Sequence, residues 1–144
     1  MEAKDLMIGD WVNYHDDGKI VPKQVSEITN FKQLQLTDKD NWIIVGERYC
    51  DPIPLTAEIL EKNGFEELMN ESEVSAARFG RKPEPTGVWQ YGFGQFDSVA
   101  YVPEQSFLRI KFMEGYMADI ANIKYVHELQ HALRLCGIEK EIIL

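Results

Sequence analysis

The chain has 144 residues and a formal net charge of −9, with 44% hydrophobic and 27% charged residues. This length predicts one domain or two small subdomains, and the composition excludes a disordered tail, a collagen-like chain and a disulfide miniprotein. The longest strictly apolar run is only Trp42–Val45. Because about 20 apolar residues are needed to cross a bilayer, we expect no membrane partner.

The first residues show neither a basic stretch nor an apolar stretch, so no secretory signal is visible and we expect a cytoplasmic protein. Cys50 and Cys136 are then expected to be free thiols in a reducing compartment. No CxxC pair is present, which argues against a zinc site built on thiolates. We therefore expect no cofactor.

The acidic charge lies mostly in the first half of the chain. Residues 1–72 hold 7 lysines and arginines against 15 aspartates and glutamates. Because an acidic chain is repelled by a phosphate backbone, broad nucleic-acid binding is disfavoured. A local anion contact remains open at Arg78, Arg81 and Lys82, although Gly80 and Pro83 favour an ordinary solvated loop there.

The first 50 residues show alternating apolar positions and turn signals, which are typical of short strands. Asp17-Gly18 predicts a hairpin turn, and Pro22 places the strand that follows at a sheet edge or after the proline. The apolar run Trp42–Val45 predicts a buried strand. The four predicted strands are Trp11–Tyr14, Lys19–Ile28, Phe31–Leu36 and Trp42–Val45.

Residues 51–65 predict a helix, with Thr56 as its N-terminal cap and Gly64 at its end. A weak helix is predicted over Glu66–Phe79. Residues 86–113 predict a β-meander, in which Trp89, Tyr91 and Phe93 share one face that we interpret as core rather than a stacking surface.

A second helix is predicted over 122–136, followed by a short strand over Glu141–Leu144. Together these elements predict an α+β fold with two subdomains in one compact unit. Residues 1–50 are expected to form a small antiparallel β-barrel of the Src-homology-3-like type. Residues 51–144 are expected to form an α+β subdomain in which the C-terminal helix packs on the meander.

His127-Glu128-Leu129-Gln130-His131 matches the H-E-x-x-H pattern of zinc metallopeptidases. Two histidines at i and i+4 reach one Zn²⁺ from one helix face, and the glutamate activates the metal-bound water. The motif therefore predicts a zinc hydrolase with His127 and His131 as ligands and Glu128 as the base. It also leaves open that the two histidines bind zinc adventitiously.

Three observations count against the hydrolase. No histidine follows His131, and the acidic candidates for a third ligand lie in a short tail. Ile123, Val126, Leu129, Leu133 and Cys136 share one helix face, while the two histidines lie on nearly the opposite face. Lys124 and Arg134 flank them there, so we expect a solvated polar face in which Glu128 pairs with Lys124.

Three segments resemble a group of small uncharacterised proteins of gut anaerobic bacteria, their phages and integrated elements. They are DLMIGDWV (5–12), DPIPLTAEILEKNGF (51–65) and YVHELQHALRLCGI (125–138). In that group the last segment has the core V-H-x-L-Q, and the position of His131 is commonly another residue. The resemblance thus implies that the complete H-E-x-x-H is fortuitous, and it implies no activity.

These observations favour a non-enzymatic, phage- or mobile-element-derived cytoplasmic protein that binds another macromolecule, with a protein as the expected partner. Small barrels often present aromatic side chains to partners, which makes Trp11, Tyr14 and Trp42 the candidate contact residues. Exposure of two of them would favour binding, and full burial would remove the argument. The alternatives are the zinc hydrolase and a nucleic-acid-associated regulator using Arg78, Arg81 and Lys82.

Overall fold

A computed structural model describes residues 1–29, 32–38, 41–94 and 97–144. In these ranges the chain forms ten β-strands and three α-helices, arranged as an α+β fold with two antiparallel five-stranded sheets. Among the described residues, no helix has the length and apolarity that crossing a bilayer requires. The chain divides into two compact units.

The first unit contains residues 1–55 and 124–142, together with Leu144. Its sheet has the strand order β4-β3-β2-β1-β5, with every neighbouring pair antiparallel. The elements are β1 (Trp11–Asp16), β2 (Lys19–Ile28), β3 (Gln33–Asp38), β4 (Asn41–Gly46), β5 (Cys50–Pro52) and helix α3 (Val126–Leu135).

The second unit contains residues 56–123 and Ile143. Its sheet has the order β10-β9-β8-β7-β6. The elements are α1 (Ala57–Lys62), β6 (Glu66–Met69), α2 (Glu73–Arg78), β7 (Pro85–Phe93), β8 (Asp97–Val102), β9 (Phe107–Lys111) and β10 (Met117–Ala121).

This division differs from the boundary that we expected near residue 50. The chain leaves the first unit after Leu55 and re-enters it at Lys124, and the two points are joined by a hydrogen bond from Leu55 N to Lys124 O of 2.9 Å. Helix α3, which we expected with the meander, therefore belongs to the same unit as the first sheet.

Local signals place most elements correctly. Asp17 and Gly18 both have positive φ, as a two-residue hairpin turn requires. Pro22 lies in the half of β2 that pairs with β1 alone, because β3 pairs only from Gln24 onward. The missing N–H of the proline therefore costs no ladder bond to β3. The prediction of an edge strand, or of a strand that starts after the proline, is nevertheless wrong, because β2 begins at Lys19 and is the central strand of the sheet.

The helix signals are also confirmed. The Thr56 hydroxyl accepts a hydrogen bond from Ile59 N, and Gly64 takes a positive φ after α1 ends. In the meander, Trp89 is buried while Tyr91 and Phe93 are half-buried, which supports their interpretation as core.

Three local predictions differ from the structure, and one strand was not predicted. The weak helix predicted over Glu66–Phe79 forms only as α2, because its first four residues are the strand β6, which pairs with β7. Strand β10 had no clear sequence signal, and residues 141–144 form no strand. Strand β4 is not buried, because the sheet order places it at an edge. The start of the strand predicted at Phe31 lies outside the described residues.

Strand order alone does not make the first sheet a barrel. Its two outer strands, β4 and β5, are not paired with each other among the described residues, so we describe an open five-stranded sheet. Its core is one buried cluster on the sheet and the N-terminal segment, formed by Ala3, Leu6, Val12, Val25, Leu34, Leu36, Val45 and Cys50.

Candidate functional site

The carboxylate of Asp10 is the most deeply buried charged group that the structure describes, with no exposed surface. Its Oδ2 accepts a hydrogen bond of 2.7 Å from Met7 N and one of 2.7 Å from His131 Nε2. Its Oδ1 lies 3.4 Å from Nη1 of Arg134. A buried carboxylate needs such donors, because an unpaired one would pay its full desolvation cost.

The backbone beside Asp10 is held in the same way. Gly9 O accepts from Nε2 of Gln24 at 2.9 Å and from Nε2 of Gln130 at 3.4 Å. Gly9 has a φ of +90°, a backbone conformation that strongly favours glycine, and a Cβ at this position would lie 3.0 Å from the guanidinium of Arg134, which would have to shift. We call Gly9, Asp10, Gln130, His131 and Arg134 the clasp, because they join the Met7–Asp10 turn to α3.

The segments 5–12 and 125–138 and the first five residues of the segment 51–65 lie in the first unit. The first and last are joined by the clasp. The middle one pairs with the start of the last, through a bridge between Pro54 and Tyr125 and a hydrogen bond from Val126 N to Ile53 O of 2.9 Å. These segments therefore hold the unit together, which gives their residues a structural role.

The expectation of a solvated histidine face on α3 is wrong. His127 is only 5% exposed, and its ring stacks on Tyr125 with the planes 5° apart. Burial lowers the pKa of His127, and the nearby carboxylates of Asp10 and Glu128 oppose that shift. The helical wheel failed because the Met7–Asp10 turn contacts His131 and Arg134, on the face opposite the apolar stripe, so that face is packed in part as well.

Glu128 does not pair with the Lys124 side chain. Its Oε2 instead accepts hydrogen bonds from the backbone N of Lys124 at 2.7 Å and of Tyr125 at 3.0 Å. A glutamate in the first turn of a helix stabilises the free N–H groups at the helix start in this way. The residue that the zinc hypothesis uses as a base is thus engaged as a helix cap.

The two histidines of the motif do approach each other, with ring centroids 5.8 Å apart. Nε2 of His131, however, is hydrogen-bonded to Asp10. Within the described parts of the chain, no three His, Cys, Asp or Glu side chains are grouped so that they could hold a metal ion. The geometry thus gives no support to His127, Glu128 and His131 as a hydrolytic centre.

The three candidate aromatic residues differ in exposure. Trp42 is 68% exposed, whereas Trp11 and Tyr14 are half-buried. Trp11 Nε1 donates to Ile142 O at 2.9 Å, and Tyr14 packs against the buried cluster of the first sheet. Only Trp42 of the three is therefore exposed. Because Trp42 lies on β4, this strand is the better candidate for a contact surface.

Strand β4 exposes three consecutive apolar side chains. Ile43 and Ile44 beside Trp42 are 38% and 49% exposed. Ile43 lies on the core side of the sheet opposite Leu36, while Trp42 and Ile44 lie on the outer side opposite Thr37 and Gln35. We call Trp42, Ile43 and Ile44 the β4 edge.

The β4 edge differs from the other sheet edges in lacking protection. Exposed edge strands are usually guarded against further pairing by charged residues or proline. Among the described strands, β5 carries Asp51 and Pro52, β6 begins with two glutamates, and β10 carries Asp119. Strand β4 contains neither a charged residue nor a proline.

The free backbone groups of β4 can be assigned from its register. Glu47 N donates to Lys32 O at 3.0 Å, which continues the β3–β4 ladder by one residue pair. Hydrogen-bonded pairs alternate in an antiparallel ladder, so Ile43 and Val45 bond to β3. The N–H and C=O groups of Trp42 and Ile44 and the N–H of Gly46 therefore point away from the sheet. The C=O of Gly46 is used by the 3-10 turn Glu47–Tyr49, which Gly46 caps.

The basic residues of the second unit do not form a strong positive patch. Arg78, Arg81 and Lys82 are all exposed. Arg81 lies 3.3 Å from a carboxylate oxygen of Glu71, and the surface depression of about 380 Å³ beside it also contains Glu84. Glu71 and Glu84 thus balance the charges of Arg81 and Lys82 in this depression. Anion binding by these basic residues stays a prediction.

Sequence reasoning missed the clasp and the two isoleucines of the β4 edge. The Gly9-Asp10 pair carried a signal, because a glycine and an aspartate in a turn often hydrogen-bond locally. Its long-range partners on α3 carried none. The apolar run of β4 gave a misleading signal, since such a run cannot tell a central strand from an unprotected edge.

Comparisons of the chain with protein-family models, with curated proteins and with solved structures found no match.

Proposed function

We propose that this chain is a non-enzymatic protein that binds another protein, and that the β4 edge is its contact surface. The observation that carries the proposal is the run of three exposed apolar side chains on the one described edge strand without charge or proline. Large apolar side chains on an unguarded edge lose solvent contact when a partner covers them, and that burial favours association.

The arrangement of the first sheet supports the finer fold prediction, a small Src-homology-3-like barrel. The order β4-β3-β2-β1-β5 brings the last strand beside the first, and a 3-10 turn at Glu47–Tyr49 leads into β5. A small barrel of this type requires that the five strands form a strongly twisted sheet. Small barrels of this kind serve as binding modules, which is an argument by analogy of fold.

We also propose an origin, a cellular compartment and a class of partner for this protein. The three segments of the resemblance support an origin in a phage or an integrated element of a gut anaerobe. Cys50 and Cys136 are both free, which supports a reducing, cytoplasmic compartment. A protein partner is favoured over nucleic acid because the chain is acidic and the β4 edge is apolar.

Selection from a random peptide display library tests the proposal. The wild-type chain is compared with Ile44→Lys, which places a charge on the β4 edge, and with Ile20→Lys as the matched control. Ile20 is a similarly exposed isoleucine, at 61%, and it lies outside the β4 edge, in the part of β2 that pairs with β1 and contains Lys19 and Pro22.

We expect enriched peptides that bind the wild type and Ile20→Lys and that bind Ile44→Lys about tenfold or more weakly, since a charge would have to be buried at the contact. Both variants should unfold at the same urea concentration within error. Enriched peptides that bind all three proteins equally would contradict the proposal, and so would a selection without enrichment.

A further inference from the structure

The geometry of β4 points to a specific kind of ligand. We infer that the β4 edge takes an extended segment of a partner protein as a sixth strand, and that this segment is apolar at its centre and basic at its ends. This inference rests on the proposed function and adds to it the mode of binding and the chemistry of the partner.

The backbone of β4 supports pairing by strand addition. The outward N–H and C=O groups of Trp42 and Ile44, followed by the N–H of Gly46, recur at every second residue, which is the spacing that an added strand satisfies. An incoming strand would supply both donors and acceptors to them. The affinity would then come largely from the main chain, and the side chains would set the specificity.

The side chains of β4 predict what the centre of the segment must contain. Trp42 and Ile44 lie on the outer side of the sheet and Ile43 on the core side, so an added strand meets apolar neighbours on both of its faces. Cross-strand pairs of aromatic and β-branched residues stabilise a sheet. We therefore expect about three consecutive β-branched residues at the centre of the segment.

The charges around β4 predict what flanks that centre. Exposed Glu27 lies in the same cross-strand row as Ile44, two strands away on the outer side. Asp38 is 57% exposed at the Asn41 end of β4 and lies 3.8 Å from Lys23, whereas exposed Lys32 lies beside the Gly46 end. The preference therefore comes from the net charge of −9 on the whole chain, which favours lysine or arginine outside the apolar centre of the segment and repels glutamate.

A second copy of this chain fits the β4 edge less well. Pairing β4 with itself would bring two chains of charge −9 together. A pair of six-residue strands also offers a much smaller contact than the roughly 1,200 to 2,000 Å² of a stable interface. An extended segment of an oppositely charged partner avoids the first difficulty and does not need the larger area.

The probe for the test is a fluorescein-labelled synthetic peptide with a valine-isoleucine-valine centre, a threonine on either side of it, and two lysines at each end. Its binding to the full chain is measured by fluorescence anisotropy. A second peptide replaces the lysines with glutamates. Two further peptides carry N-methyl groups on alternate residues, one on the odd positions and one on the even positions.

We expect one N-methylated peptide to bind about tenfold or more weakly and the other to bind like the parent, because only alternate residues of an added strand face β4. The glutamate peptide should bind about tenfold more weakly at low salt, with a smaller difference at high salt. Ile44→Lys should weaken binding of the parent peptide, and Ile20→Lys should not.

Each contrary result identifies what has failed. If both N-methylated peptides bind like the parent but Ile44→Lys still weakens binding, strand addition is overturned and the proposed function stands. If the lysine peptide does not bind the wild type, the inference is overturned, while the display selection judges the proposed function independently. A concentration-dependent dimer in sedimentation, lost in Ile44→Lys, would assign the edge to a second copy and overturn the inference.

Discussion

Asp10 connects two parts of the chain that are 121 residues apart in sequence, through its hydrogen bond to His131. Because Asp10 has no exposed surface, removing its carboxylate leaves Met7 N–H and His131 Nε2 without their acceptor. Leaving buried donors unpaired costs more than the net value of the hydrogen bonds themselves. The main role of the clasp is therefore to stabilise the folded chain.

We predict that Asp10→Ala lowers the free energy of unfolding by about 2–4 kcal/mol, because it breaks a buried charged network. Urea denaturation followed by circular dichroism measures this loss. Asp16→Ala is the control, since Asp16 is exposed at the end of β1, and it should change stability by less than about 0.5 kcal/mol. A loss below about 1 kcal/mol for Asp10→Ala would show that the clasp contributes little.

His127 makes stability depend on pH. Burial lowers its pKa in the folded chain, so near and below the ordinary histidine pKa of about 6.5 the unfolded chain binds more protons than the folded chain. Stability from this group is therefore fully present above about pH 6.5 and decreases as the pH falls toward the lower, folded pKa.

We predict that His127→Gln, which cannot titrate, reduces the fall in urea midpoint between pH 7.5 and pH 5. The comparison between the two proteins isolates His127 from the other two histidines, which are present in both. Equal falls in the wild type and the variant would show that His127 is not kept neutral by burial.

Among the secondary-structure elements, helix α3 is capped at its N-terminus by Glu128. The Glu128 carboxylate accepts hydrogen bonds from the backbone N of Lys124 and of Tyr125. This contact explains the glutamate of the H-E-x-x-H motif without a metal. The helix is otherwise well packed, with Val126, Leu129 and Leu133 fully buried.

We predict that Glu128→Ala destabilises the chain by about 1 kcal/mol, and that Glu128→Gln costs less because an amide oxygen still accepts a hydrogen bond. Thermal unfolding measures both variants. Glu139→Ala serves as a control, since Glu139 lies beyond the end of α3 and is not part of the cap. If Glu128→Ala is no less stable than the control, the cap has no energetic role.

Strand β4 shows where local pattern misleads about an element. Its four consecutive apolar residues favour burial on both faces, and sequence reasoning accordingly predicted a buried strand. The structure buries only Val45 and leaves Trp42 68% exposed. The strand itself was predictable from its β-branched residues, but its place at the end of the sheet depends on which strands pair.

At the scale of the whole molecule, the first unit is built from two distant parts of the chain. Residues 1–55 supply the sheet and residues 124–142 supply α3. The second unit comes between them in sequence, with Leu55 and Lys124 hydrogen-bonded at the point where it begins and ends. Elements of one compact unit are expected to open together.

We predict that amides of β1 and β2 lose their protection from hydrogen exchange at the same denaturant concentration as amides of Leu129–Leu133. Asp10→Ala should lower the protection of both groups by the same amount, because the clasp joins them. Native-state exchange followed by NMR measures this. Protection of α3 that follows β8 and β9, and not β1 and β2, would contradict the assignment of α3 to the first unit.

The turns, caps and alternating strands of this protein follow from its amino-acid sequence alone. Asp17-Gly18, Thr56 and Gly64 act through contacts within a few residues, so their effect can be predicted without a fold. The acidic charge and the α+β class followed from composition and order in the same way.

The pairing of the elements and the covering of their surfaces depend instead on the fold of the whole chain. His131 and Arg134 contact Asp10 of the Met7–Asp10 turn, so the helix face that carries the motif is not solvated, and the β4 edge is exposed because no described strand lies beyond it. Both outcomes depend on contacts between residues far apart in sequence. No local preference encodes such contacts, because they form only when the whole chain has minimised its exposed apolar surface and paired its buried polar groups.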